Sequence, residues 1–221
     1  QLLNNRDLKH LSQALPACPD VMGREKYHNS AVLVPFVFLG NEYHFLFQRR
    51  TPHIRQGKEI CFPGGRFEAD KDSNYQDTAI RETMEELGIG REKIKIMGRL
   101  DTLVAPMGAV IDPFVARLNI TSIDELIPSI DEVDEVFTFP VSLFKNQHVK
   151  EYHVRLEMHP SVFDKNGRET VLLPVKELGL PETYHQPWHG RPHRILVYPT
   201  SKGPVWGITA EIVSEIIKLL S

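Results

Sequence analysis

The sequence predicts an α+β domain built on a central mixed β-sheet with helices on its faces. Three observations predict it. Apolar, β-rich runs recur at 30–40, 43–50, 93–105, 109–118 and 194–200, and each has the length and composition of a strand. Amphipathic stretches at 73–87 and 206–220 read as helices. The order of these elements lacks strict βαβ alternation, which favours a mixed sheet over a Rossmann fold or barrel. A chain of 221 residues suits a single domain, 1–221, with an elaborated segment at about 145–193.

The elements follow in chain order. Residues 2–14 place Leu2, Leu3, Leu8 and Leu11 at helical spacing, and Pro16 and Pro19 end the pattern. "SAVLVPFVFLG" and "YHFLFQRR" flank a Gly-Asn-Glu turn and read as a hairpin. Pro35 inside the first run predicts an edge or bulged position. Residues 51–72 mix turn residues and charge and read as a functional loop. A helix over 73–87 follows, then two strands at 93–105 and 109–118. Residues 131–144 read as an acidic loop, a short strand and a turn into a helix or extended segment. In 145–193 a turn at "DKNGRE" precedes the strand "TVLLPV". The last helix carries an apolar stripe of Ile208, Ile212, Ile216 and Leu219, with Thr209 as N-cap and Trp206 as a core anchor.

Composition narrows the class. Hydrophobic content of 41% and charged content of 25% describe an ordinary globular chain. A net charge of −3 gives no global attraction to nucleic acid or anionic membrane. Two cysteines, Cys18 and Cys61, do not make a disulfide framework and suit a reducing compartment, here expected to be the cytoplasm. No apolar run reaches the ~18–20 residues of a membrane span, and the first twenty residues lack the pattern of a signal peptide.

The chemistry concentrates in "IRETMEELGIG", residues 80–90. Glu82, Glu85 and Glu86 crowd the C-terminal end of a helix, where the macrodipole disfavours negative charge. On a helical wheel Ala79, Ile80, Thr83, Met84 and Leu87 form one face, and the glutamates form a ridge beside it. Hard oxygen ligands on one rigid face suit Mg²⁺ or Mn²⁺. Arg81 is placed to pair with a glutamate and fix its rotamer. A solvated surface helix is the competing reading of a Glu-rich run. The upstream "CFPGGRFEADKD" shifts the balance. Gly64 and Gly65 let backbone approach a ligand, and Arg49, Arg50, Arg55 and Arg66 supply charge suited to phosphate.

Together these residues resemble the Nudix box, G-x5-E-x7-R-E-U-x-E-E-x-G-U. Gly65 matches its first position and residues 81–89, "RETMEELGI", its second half. Thr83 takes an apolar position. The Gly65–Arg81 spacing exceeds the standard by two residues, so Glu68, Asp70 and Asp72 compete for the mid-box acid. "LDTLVAPMGAVIDPFVARL", "DEVDEVFTFPVSLF" and "VWGITAEIV" extend the similarity to the coenzyme A pyrophosphatase branch of the Nudix hydrolases.

The resemblance implies an α/β/α sandwich around the mixed sheet and metal-dependent hydrolysis of a diphosphate linked to a nucleoside. For coenzyme A or an acyl-CoA the products would be 3′,5′-ADP and 4′-phosphopantetheine or its acyl form. Glu82, Glu85, Glu86 and the Gly65 carbonyl would hold Mg²⁺ or Mn²⁺. Glu82, Glu85 and Arg81 would carry the catalysis, and Glu132 or Glu135 from the acidic loop would complete the site. Arg49, Arg50, Arg55 and Arg66 would meet the substrate. The partner is a small-molecule nucleotide, with no nucleic acid and no membrane, and a homodimer is the assembly considered. Two alternatives stand beside this: another Nudix substrate, such as ADP-ribose, a dinucleotide polyphosphate or an oxidised nucleotide, and a non-catalytic nucleotide-binding module.

Overall fold

The computed structural model describes residues 4–54 and 56–221. Leu2, Leu3 and Arg55 lie outside the described residues. The first helix, α1 (Asn5–Ala14), starts at a capping box in which Asn4 and Asp7 satisfy each other's backbone N–H groups. None of its residues is buried.

The centre is an eight-stranded sheet with core order β3-β2-β1-β7-β5. β1 (His28–Leu39) and β2 (Glu42–Arg50) form the expected hairpin, with Phe36 opposite Phe45. The loop at 51–72 contains two short strands, β3 (Ile60–Cys61) and β4 (Gly64–Arg66). α2 (Tyr75–Leu87) begins at the Asn74 cap and ends at Gly88, whose φ of 61° is the left-handed conformation of a helix stop. The single strand expected at 93–105 is two, β5 (Ile94–Arg99) and β6 (Leu103–Ala105), and both pair antiparallel with β7 (Ala109–Leu118). β1 and β7 run parallel, His28 beside Ala109, which makes the sheet mixed. β8 (Val133–Pro140) pairs with β2 and leads directly into α3 (Val141–Asn146).

Pro35 does not sit at an edge. Its strand is central, and Pro35 itself stands beside Ala116 of β7. On the other side of β1, residues 30–32 pair with β4 and residues 36–39 pair with β2. The missing N–H therefore falls where β1 changes neighbours, so no ladder bond is lost.

The elaborated segment holds β9 (Lys150–Val154), β10 (Glu157–Met158), β11 (Ser161–Phe163), β12 (Glu169–Val171) and β13 (Trp188–His189). β11 and β12 are the hairpin around the expected turn, so the strand predicted at "TVLLPV" begins one residue earlier and ends at Val171. β14 (His193–Tyr198) joins β9 and β15 (Val205–Trp206) in a three-stranded sheet, and α4 (Gly207–Leu219) closes the chain.

Strand alternation divides the core into two layers. Ala31, Leu33 and Val37 of β1 face Ala79, Ile80 and Leu87 of α2. Val34, Phe45 and Phe47 face the other way, against Phe144 of α3 and Ile212, Val213 and Ile216 of α4. The result is the α/β/α sandwich. Phe47 is the hub of the second layer, stacking on Phe62 at 4.8 Å and meeting the rings of Phe137, Phe139 and Phe144. At α4 the expected details shift. Trp206 is the N-cap residue, 42% exposed, and Thr209 lies within the helix, buried. The buried stripe is Ala210, Ile212, Val213 and Ile216, while Leu219 is 69% exposed. Among the described residues no helix is long and apolar enough to cross a membrane.

A buried ion pair ties the segment before β1 to the sheet. Asp112 of β7, fully buried, accepts from Arg24 at 2.6 Å and from the Thr102 hydroxyl at 2.7 Å. The Arg24 guanidinium also lies over the Tyr75 ring at 4.1 Å, at the start of α2.

Phe47→Ala removes a fully buried ring from the aromatic layer and is expected to cost about 3–5 kcal/mol. Trp206→Ala, at a half-exposed cap, should cost less than half as much. Denaturant titration of both variants checks this ranking.

Candidate active site

The site forms where β4 passes under α2. Gly64 makes the passage possible. Its φ is 151°, and a Cβ there would stand 2.4 Å from the Ala31 carbonyl oxygen and 2.6 Å from the Val32 Cα. Only glycine fits this close approach. The strand therefore presents its backbone to the helix, and the Gly64 N–H donates to Glu86 Oε2 at 2.9 Å. Gly65 is constrained differently: a Cβ there would stand 2.2 Å from the Glu82 carboxyl carbon, so a side chain would push that carboxylate aside.

Arg81 organises the carboxylates. Its Nε and Nη2 donate to the two oxygens of Asp72 at 2.8 and 2.9 Å. Its Nη1 donates to Glu82 at 2.8 Å and Glu85 at 3.1 Å, and Nη2 also reaches the Arg66 carbonyl at 3.3 Å. Asp72 further accepts from the Glu68 N–H and the Thr78 hydroxyl. These donors, Arg81 first, hold its carboxyl well below the usual carboxylate range. Of the three acids that compete by counting, Asp72 is the buried one joined to the helix. Glu68 instead pairs with Lys71 at the surface, at 2.9 Å.

The three glutamates differ sharply in environment. Glu85 is the outermost, its side chain 58% exposed. Glu82 is half-buried; burial raises its pKa, Arg81 opposes that, and the charges of Glu85 and Glu132 add to the rise. Glu86 is only 2% exposed and belongs to the buried side of the helix rather than to an open ridge. Burial pushes its pKa up to about 7, against the pull of the Gly64 N–H, Gln48 and Arg50. Arg50 Nη1 stands 3.9 Å from Glu86 Oε1. Gln48 is fully buried beside it, and neither of its amide atoms completes a well-aligned hydrogen bond. Cys61, opposite Gln48 across the β2–β3 ladder, is an unreactive thiol, pushed up to about 12 by burial and by the charge of Glu86. Thr83, at the box position usually apolar, is fully buried with its hydroxyl bonded to the Ala79 carbonyl at 2.7 Å.

The acidic loop docks on the end of α2. The Ile127 and Ser129 N–H groups donate to the carbonyls of Leu87 and Glu86 at 3.0 and 2.9 Å, and Thr51 N–H donates to the Glu132 carbonyl at 3.0 Å. Orphan carbonyls of the helix end are thereby satisfied, and Glu132 is brought within the field of Glu82. Glu135 goes elsewhere. It lies in β8 and pairs with Lys202 and, at 3.6 Å, with Arg49. Lys202 is the chief reason its pKa is lowered. Arg49 is likewise engaged, donating to the Lys202 carbonyl at 2.6 Å. The two adjacent arginines of β2 point to opposite faces of the sheet, as strand alternation requires. Arg50 faces the glutamates; Arg49 and Glu135 face the aromatic layer. Arg66 is exposed beside the site, and Arg55 is outside the described residues.

Sequence reasoning missed Gly64 as a donor and Gln48 as a neighbour of Glu86. The signal for Gln48 was present: positions 46, 48 and 50 share one face of β2. Among the described residues no three His, Cys, Asp or Glu side chains converge as a ready-made metal cage. Arg81 holds Glu82 beside Gly65 and Glu85 at the surface, while Glu86 is turned in toward Gly64.

Comparison with known proteins agrees with this geometry. Residues 27–157 match the NUDIX domain. A Mus musculus protein described as mitochondrial coenzyme A diphosphatase NUDT8 is 31% identical over 195 residues, which span 87% of this chain and 78% of that protein. Nudix hydrolase 3 of Caenorhabditis elegans is 28% identical over 87% of this chain and 74% of its own length. The peroxisomal coenzyme A diphosphatase NUDT7 of Mus musculus is 32% identical over 54% of this chain and 50% of that protein. The chain belongs to the Nudix family, and with these hydrolase relatives it is a pyrophosphohydrolase.

Two stability tests follow from the geometry. Asp72→Asn removes the anionic partner of Arg81 Nε and Nη2 and leaves the guanidinium to Glu82 and Glu85, at an expected cost of about 1–3 kcal/mol; thermal melts at neutral pH measure it. Glu86 carries the opposite sign. Its folded pKa, about 7, lies above the ordinary carboxylate value, so the Glu86 contribution to stability is fully present only in acid and is lost as pH rises through 7. In chelator-treated protein Glu86→Gln should therefore raise stability at pH 8 by about 1–3 kcal/mol and change it little at pH 4.

Proposed function

We propose that the chain hydrolyses the diphosphate of coenzyme A or an acyl-CoA, releasing 3′,5′-ADP and 4′-phosphopantetheine or its acyl form. The observation that carries the substrate is the similarity, over most of the chain, to coenzyme A diphosphatases. The names of two such relatives place them in mitochondria and peroxisomes, not in the cytoplasm expected from the cysteine content.

The donor set fits a hard divalent cation. Glu82, Glu85, Glu86 and the Gly65 carbonyl would all offer oxygen donors, and the missing Gly65 side chain leaves backbone against the Glu82 carboxylate. Bound Mg²⁺ or Mn²⁺ supplies charge neutralisation at the diphosphate oxygens and lowers the pKa of an attacking water. The chain's own residues do the rest. Arg81 lends one guanidinium to Glu82 and Glu85, so turning either carboxylate inward exchanges a salt bridge rather than creating a bare charge. Arg50 and Arg66 offer cations to the diphosphate. Glu132, exposed and carried by the loop that docks on the helix end, would accept the proton of the attacking water. The water oxygen bonds to one phosphorus while the bridging P–O bond breaks, and the leaving phosphate takes the electron pair.

Release of 3′,5′-ADP from coenzyme A with Mg²⁺ or Mn²⁺ tests the reading, with ADP-ribose and a dinucleotide polyphosphate alongside. Coenzyme A should be the best substrate. Glu86→Gln should lower turnover by at least ~10² while remaining folded. Unchanged turnover would sink the site assignment, and preference for another nucleotide would sink the substrate assignment.

A further inference from the structure

The face of the sheet opposite α2 carries a second concavity. A cleft of about 750 Å³ opens where the ends of β1, β2, β5 and β7 meet α3 and α4. None of its lining comes from α2, β3 or β4, so it shares nothing with the glutamate site. Its volume is that of a small-molecule site rather than a packing defect.

Two features of the lining define a ligand. The walls are apolar, with Phe36, Leu100, Val115 and Ile216 deep and Met97 and Leu219 at the rim. The charged groups are three cations, Lys95, Arg117 and Lys145, against one carboxylate, Glu42. This local excess stands out on a chain whose net charge is −3. Lys95 and Arg117 are direct cross-strand partners in the β5–β7 ladder and both are exposed. Like charges placed opposite one another destabilise a sheet, and among the described residues neither cation has a carboxylate within salt-bridge distance. The Lys145 amine donates to the Leu220 carbonyl at 3.0 Å, which holds it at the mouth of the cleft between α3 and the end of α4.

We propose that this cleft binds a free alkyl carboxylate, with its chain along the apolar wall and its head between Lys95 and Arg117. An anion there converts two opposed cations into a favourable cluster, and a guanidinium takes a carboxylate with two parallel bonds. A neutral apolar ligand leaves that repulsion in place, and a cationic one adds to it. The inference stands independently of the proposed substrate.

Calorimetric titration of the full chain with dodecanoate, below its micellar concentration, tests the site. Saturable one-to-one binding is expected, with dodecyltrimethylammonium, of the same chain length and opposite charge, binding weakly or not at all. Lys95→Glu with Arg117→Glu should weaken dodecanoate at least about tenfold and favour the cationic amphiphile instead. Both side chains are exposed, and circular dichroism melts confirm that the variant folds. Met97→Glu, at a rim residue 67% exposed, tests the apolar wall separately and should also weaken dodecanoate. The proposal is overturned by any of four results: no saturable dodecanoate binding, equal affinity for both amphiphiles, or an affinity unchanged in the double variant. The fourth is sedimentation showing that a second copy of the chain fills the cleft and is released only by the double variant.

Discussion

The Arg81 guanidinium bonds Asp72 with two hydrogens and Glu82 and Glu85 with a third donor, and it reaches back to the Arg66 carbonyl. The loop after β4, the middle of α2 and the carboxylates all meet on this one side chain. Several carboxylates within one helical turn repel, and a permanently charged, planar, multi-donor group is suited to hold them together. Asp72 turns the same bond inward. By accepting from the Glu68 N–H and the Thr78 hydroxyl, it fastens the loop over the helix start. The site is thus braced from one end by Asp72 and from the other by the docking of residues 127–132 on the last carbonyls of α2.

The glutamates divide into two populations under this bracing. Glu82, half-buried, and Glu85, exposed, are both held by the Arg81 guanidinium. Glu86 is held by a backbone N–H in a poorly solvated pocket, with Gln48 and Arg50 beside it. A carboxyl poised near neutrality beside two that are ion-paired is an asymmetry that three glutamates on a bare helix would not have. It arises from depth and from the choice of partner, since Glu86 follows the buried stripe of Ala79, Thr83 and Leu87 around the helix, out of reach of the cation that pairs with Glu82 and Glu85.

Much of this was legible beforehand. The hairpin, the acidic helix with its Gly88 stop, β7 and the final helix follow from periodicity and turn residues. The box residues announced the site. The unread parts have physical causes. The choice among Glu68, Asp70 and Asp72 depends on which side chain turns inward, and counting residues in a loop does not reveal that. Arg49 and Glu135 looked like site residues because they adjoin Arg50 and Glu132 in sequence, but strand alternation sends them to the aromatic face. Residues 147–193 resisted reading because almost none of them is buried; without a core-facing stripe there is no period to detect. Trp206 and Thr209 misled for a related reason, as the cap of α4 is set by a backbone turn and not by side-chain chemistry.

The parallel pairing of β1 with β7 bears on how the molecule comes into being. Residue 28 must find residue 109 before this ladder closes, and contacts so distant in sequence are gained only after a large loss of chain entropy. The hairpin of β1 and β2 and the helix α2 are local and form without waiting. Part of the bed on which α2 rests, from Phe114, Ala116 and Leu118, and the buried Asp112–Arg24 pair that clamps its start exist only once β7 has arrived. The carboxylate cluster is local in sequence, but the packing that fixes its helix is completed by β7 and by the 127–132 loop, both of which lie beyond it in the chain.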